Sequence, residues 1–195
     1  MLTPLLMRAL RTRNKYSATS TDQLPHHLAA YWMFGHMLLL PIPDLPRAQT
    51  LWILGANPLV SNGSLMSAPG MRARLKALRA RGGRVTVFDP RRTETAEAAD
   101  EHVFVRPGKD AWLLGAVVKI ALARGRGLGR LAAHAERLDV LERAVDRFTP
   151  ERAAAQTGVD AATIDRLAQE LCDAKRAIVY GRMGLSTQRF GALCQ

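Results

Sequence analysis

LWILGANPLVSNGS, residues 51–64, opens with four apolar residues and then breaks into glycine, asparagine, proline and serine. A short apolar run bounded by such residues reads as a buried strand running into a loop. Neither GK[ST] nor GxGxxG follows it, so the loop is not one of the common phosphate-cradling or dinucleotide-binding turns. What it holds has to be read from the rest of the chain.

Working outward, the same alternation repeats. Residues 71–81 carry Met71, Leu75 and Leu78 on one helical face and Arg72, Lys76 and Arg79 on the other, and Gly82–Gly83 ends the helix. RVTVFDP (84–90) is a β-branched strand stopped by Pro90, and HVFVRPG (102–108) is a third strand closed by proline and glycine. DAWLLGAVVKIALAR (110–124) reads as a helix capped by Asp110. Two further helices follow. One has Thr149 as cap, Pro150 in its first turn and Gly158 at its end; the other starts from Asp160 with Ile164, Leu167 and Leu171 facing inward. AIVYGRMG (177–184) is another strand running into glycines, and STQRFGALCQ (186–195) begins a helix. Strands alternating with helices at this spacing predict an α/β fold, a mostly parallel sheet with flanking helices in the Rossmann-like manner.

The composition narrows the function classes. Hydrophobic residues make up 48% of 195, enough for a real core, and the net charge is +11. Such a balance suits an anionic ligand, a nucleic acid or a solvated arginine-rich surface. Aromatics are only 6%, and no helix-turn-helix or RNP motif is present, which argues against nucleic acid. The only cysteines, Cys172 and Cys194, are too few for a four-cysteine iron–sulfur or zinc site from this chain alone. They form no disulfide framework, so a reducing, cytoplasmic setting is expected. The longest apolar run, residues 28–43, is broken by His36 and two prolines and is too short for a membrane span.

In an open parallel sheet, ligands bind beyond the carboxyl ends of the strands. Four such ends carry polar or glycine residues: 55–63, 89–95, 106–110 and 181–188. Gly55 admits close backbone approach, and Asn57 offers both donor and acceptor. Ser61 and the amides after it can cradle a phosphate oxygen. Asp89 can accept two hydrogen bonds from a ribose or a guanine edge, with Arg91 near enough to meet a diphosphate. Any one of these alone is an ordinary turn; four together point to a dinucleotide-type ligand. GRGLG at 125–129 follows a helix rather than a strand and fails the context test for a dinucleotide fingerprint.

LGANPLVSNGS, VFDPRRTETAEAADEHVFVRPGKDAWLL, TPERAAAQTGV and YGRMGLSTQRFG, in this order, resemble the molybdopterin-dependent oxidoreductases of the dimethyl sulfoxide reductase superfamily, relatives of formate dehydrogenases and nitrate reductases. The resemblance runs from about Asn14 to the last residue. It implies a molybdenum- or tungsten-bearing molybdopterin guanine dinucleotide, with oxygen-atom or two-electron transfer on a small-molecule substrate. It implies Gly55, Asn57 and Ser61 along the diphosphate and nucleotide, Asp89 and Arg91 at the guanosine end, and Thr93 as a further cofactor contact. Gly108 and Asp110 would lie beside them, and Gly184 and Gln188 near the pterin. An ungapped alignment through Pro25 places Asp22 at the family's metal-ligand position, a hard anion for a hard metal. Asp22 is equally readable as the cap of the next helix, and Ser17 and Ser20 are neighbouring alternatives. His26 and His27 are adjacent and diverge on a helix, which suits surface and groove positions better than a paired metal site. No catalytic residue is assigned.

Two departures matter: the family's N-terminal cysteine motif for a [4Fe–4S] cluster and its C-terminal domain have no counterpart here. The expectation is therefore a central fragment. Residues 1–50 would surround the metal-ligand region, and 51–195 would form a dinucleotide-binding α/β domain incomplete at its C-terminus. Such a piece would be inactive alone and would need the missing domains and an electron-transfer partner. The alternative expectation is a non-catalytic nucleotide-binding or truncated module of the same fold.

Overall fold

A computed structural model describes residues 3–14, 16–66, 68–125 and 129–195, with the side chains of 3, 4 and 130–132 left aside. The GRGLG stretch therefore lies partly outside the described residues, at 126–128.

The chain begins with helices α1 (Thr3–Ala9), α2 (Thr19–Asp22) and α3 (Leu24–Phe34). Strand β1 (Thr50–Leu54) leads to helix α4 (Met71–Ala80), strand β2 (Arg84–Phe88), the short α5 (Glu94–Glu97) and strand β3 (Glu101–Val103). Helices α6 (Asp110–Ala123), α7 (Leu138–Val145), α8 (Pro150–Thr157) and α9 (Ala161–Asp173) follow. Strand β4 (Ala177–Gly181) and two short helices, α10 (Met183–Ser186) and α11 (Gly191–Cys194), complete it.

The four strands are parallel in the order β3-β2-β1-β4, with Leu51 opposite Val85 on one side and Ile178 on the other. Alternation along the strands feeds two cores. Leu51, Ile53, Val85 and Val87 pack with Met71, Leu75 and Leu78 of α4. Trp52, Leu54, Phe88 and Val103 pack with Leu113 and Ala116 of α6, Ala153 of α8, and Ile164 and Leu167 of α9. With helices on both faces, β1 after Thr50 and β2 after Arg84 are fully buried, as in parallel sheets generally.

The expected caps at Thr149 and Asp160 form, accepting from the amides of Arg152 and Thr163, and Gly158 closes α8 in the left-handed conformation. Other details differ. Lys109, not Asp110, is the capping position of α6, because the Asp110 carboxylate turns instead to Gln188. The third strand is confined to Glu101–Val103, since Arg106 leaves the sheet to pair its amide with the Thr157 carbonyl. Leu171 is only partly buried. No single helix starts at Ser186: α10 ends there and α11 begins at Gly191, whose missing side chain lets the turn fold against the Ser186 carbonyl. Asp22 does not cap α3; it ends α2, and Gln23 occupies the capping position without a side-chain bond.

Helix α3 packs on α10 and α11, while Leu45 and Ala48 join the core beside α4. The outer face of α3 is apolar and open: Trp32, Met33 and Phe34 are 67%, 69% and 46% exposed. No helix among the described residues is long and apolar enough to cross a membrane.

Candidate functional site

The strand order reverses direction between β1 and β4, which makes the gap beyond their carboxyl ends a topological switch point. A cleft of about 760 Å³ opens there. Loops after all four strands line it: Gly55, Asn57 and Ser61 after β1, and Asp89, Arg91 and Thr93 after β2. Gly108 and Asp110 border it after β3, Gly184 and Gln188 after β4, and Asp22 reaches it from α2. The ten residues expected at the cofactor and Asp22 thus border one cavity, whereas Ser17 and Ser20, the alternatives to Asp22, are not among its lining residues.

Backbone geometry builds its centre. Gly55 has φ +55°, and its carbonyl accepts from the Gly184 amide at 2.8 Å. A Cβ added at either glycine would lie 2.6 Å from the other's Cα, so the β1 and β4 turns meet only because both residues lack side chains. Asn57 is less free than its sequence position suggested. Its amide donates to Glu94 at 2.7 Å and accepts from the Thr95 hydroxyl at 2.7 Å, tying the first loop to the second. Thr93 is buried and caps α5 through the Ala96 amide. The Asp89 carboxylate accepts the Arg91 amide at 2.9 Å in a tight turn, and its second oxygen takes no hydrogen bond from the described residues. Arg91, Ser61 and Gly108 are exposed at the rim.

On the opposite side Gln188 donates to Asp110 at 2.9 Å. Burial raises the Asp110 pKa above its ordinary value, against the Gln188 hydrogen bond, and the charge of Asp89 adds to the rise. The buried side-chain oxygen of Gln188 has no partner among the described residues, and neither has Oδ1 of Asp22. Two orphaned acceptors bordering one cleft call for a donor or a cation from outside the chain.

The sequence reading missed Arg182, although it stood inside the quoted GRMG. Its side chain is 11% exposed, and its Nε donates to Ser64 at 2.9 Å. One terminal nitrogen donates to the Asp22 carbonyl at 3.2 Å, and the other lies 3.7 Å from the Asp22 carboxylate. Asp22 is therefore already matched with a positive charge. Among the described residues no cluster of three or more His, Cys, Asp or Glu side chains forms a metal site.

His26 turns inward, its Nε2 lying 3.1 Å from the Gly181 carbonyl at the end of β4. Burial lowers the His26 pKa below the ordinary 6.5, opposed by its bond to Gly181 and helped by the charges of Arg182 and His27, while Asp22 acts the other way. The unfolded ring therefore takes its proton first as pH falls through 6.5. Stability is expected to be flat above that value, to decline below it, and to level off once the folded ring also titrates. Urea midpoints at about pH 7.5 and about pH 5.5 should show this decline, and a smaller one in His26→Gln.

No family model matches the chain. The assimilatory nitrate reductase of Haloferax mediterranei is 32% identical over 185 residues, 93% of this chain and 24% of that protein. The F420-dependent formate dehydrogenase 2 subunit alpha of Methanococcus maripaludis is 28% identical over 77% of this chain and 21% of its own length. Formate dehydrogenase H of Escherichia coli is 26% identical over 74% and 20%. The chain thus spans 20–24% of the length of these relatives. Among solved structures, acetylene hydratase from Pelobacter acetylenicus superimposes with a TM-score of 0.76 over 96% of this chain and 25% of its own, at 21% identity, a likeness of fold.

Proposed function

We infer, from a chain homologous over most of its length to a segment of the molybdopterin oxidoreductase family, that the switch-point cleft holds part of a molybdopterin guanine dinucleotide in an enzyme of oxygen-atom or two-electron transfer. The observation that carries this reading is the convergence of four strand-end loops on one cavity of about 760 Å³, within the size range of cofactor pockets.

The donor set suits such a ligand. Guanine and pterin rings present N–H groups, and the unpartnered acceptors of Gln188 and Asp22, with the free oxygen of Asp89, can receive them or an attached cation. The diphosphate would run past the glycine contact of Gly55 and Gly184, where backbone comes closest, towards Ser61 and Arg91. Asp89 takes the guanosine end, with Thr93 fixing the loop beneath it and Gly108 and Asp110 beside it. Gln188, steadied by Asp110, faces the pterin. Asp22 is the candidate metal ligand through Oδ1, with Oδ2 turned to Arg182. When bound, the metal dithiolene would supply the redox chemistry; the protein's part is binding, orientation and a matched electrostatic field. The substrate is a small molecule, and the two cysteines of this chain are too few to hold a [4Fe–4S] cluster by themselves.

Asp89→Ala tests the guanosine end. Loss of one charge-assisted hydrogen bond, about 1.5–3 kcal/mol, should weaken retention of the dinucleotide by about tenfold to a hundredfold. The Asp89→Ala protein should purify with sub-stoichiometric molybdenum and guanine nucleotide but an unchanged circular dichroism spectrum. Full cofactor content would remove Asp89 from the site.

A further inference from the structure

We propose that His26 is a positioning residue of the cleft: fixed as one neutral tautomer between Gly181 and Ser186, it holds the β4 turn that carries Arg182 and Gly184 into the site.

The proton positions follow from the partners alone. His26 Nε2 lies 3.1 Å from the Gly181 carbonyl oxygen, which can only accept, so Nε2 carries the hydrogen. In a neutral ring Nδ1 is then bare, and the Ser186 hydroxyl at 3.2 Å must donate to it. Ser186 Oγ in turn accepts from Gln195 Nε2 at 3.0 Å, and the same Gln195 nitrogen reaches the Arg182 carbonyl at 3.2 Å. The result is a directed chain from Gln195 through Ser186 and His26 to Gly181, with every donor and acceptor role determined. It bridges α3, α10, α11 and the end of β4.

The placement bears on the cleft rather than on the core. β4 is an edge strand, and a carbonyl at such an edge needs a partner from outside the sheet. His26 supplies it one residue before Arg182 and three before Gly184, whose amide makes the contact with Gly55. Asp22, four residues before His26 in the chain, meets the Arg182 side chain. The first helices thus hold the turn at two points, backbone through His26 and guanidinium through Asp22. No local pattern signals this contact, since His26 and Gly181 are 155 residues apart.

The role of His26 needs only the cleft, and it is tested on the 195-residue chain without cofactor. It therefore stands or falls separately from dinucleotide binding. Long-range proton–nitrogen NMR of the imidazoles near pH 8 should show His26 as the pure Nε2–H tautomer. A His26 signal with the proton on Nδ1, or averaged between the two nitrogens, overturns the proposal. Hydrogen–deuterium exchange supplies the second arm. His26→Ala should accelerate exchange of the Gly184 amide by about tenfold to a hundredfold, and the Val85 amide of β2 should stay unchanged. His26→Gln, which can still donate to Gly181, should restore most of the protection. Equal acceleration at Gly184 and Val85, or none at Gly184, or no rescue by glutamine, contradicts a positioning role. If His26→Ala does not fold, the tautomer and the glutamine variant decide.

Discussion

Gly184→Ala is expected to destabilise the protein by about 1–3 kcal/mol, the cost of forcing atoms into a packed position. The new Cβ would sit 2.6 Å from the Gly55 Cα and 3.0 Å from its carbonyl oxygen, both backbone atoms that cannot rotate away. The turns after β1 and β4 would have to part, stretching the 2.8 Å bond between them. Gly55→Ala should be worse, about 2–5 kcal/mol in all, because its left-handed backbone at φ +55° adds a further penalty. Gly70→Ala is the control. Gly70 has φ +68° but nothing within 4 Å of an added Cβ, so only the conformational cost of about 1–2 kcal/mol applies. Urea unfolding of the three variants measures the difference directly. Equal losses at Gly55 and Gly70 would mean that the two turns are not in contact.

Arg182→Leu is expected to be comparably damaging, at about 2–3 kcal/mol. Removing one partner of a desolvated ion pair leaves the other charge uncompensated, which costs about 3–5 kcal/mol when burial is complete. Asp22 keeps 23% of its side chain exposed, so the loss should be smaller. The Asp22 carboxylate would then hold both oxygens without a partner, Oδ1 being unpaired already. Adding Asp22→Asn to Arg182→Leu should recover part of the stability, because the second change removes the stranded charge. A double variant less stable than Arg182→Leu by the full effect of Asp22→Asn would show that the two side chains are independent.

The strands and their ends were legible because the signals are local. Apolar runs stop at Gly55, Pro90 and Gly181, and the helix caps at Thr149 and Asp160 satisfy amides three residues on. Knowing where parallel strands end is enough to say which loops share an edge, so the residues of four separate stretches could be assigned to one cleft. What those side chains do inside it was not legible. Asn57 looked free to meet a ligand, yet its partners Glu94 and Thr95 lie 37 and 38 residues away and engage both ends of its amide. Asp110 looked like a helix cap by residue type, but Gln188, 78 residues on, offers its carboxylate a donor. Arg182 and His26 carry no periodic or motif signal, and their importance comes wholly from contacts made across the fold. Trp32, Met33 and Phe34 stay exposed because no helix can turn three consecutive large side chains inward together.

The content of molybdenum or tungsten and of guanine nucleotide per polypeptide tests the assignment of the cleft most directly. It should be measured on the protein expressed from its complete reading frame in a host that makes the cofactor, beside its Asp89→Ala variant. Equimolar metal and acid-released guanine nucleotide in the parent, with both depleted in Asp89→Ala, is the expected result. A folded parent protein carrying neither metal nor guanine nucleotide would contradict it.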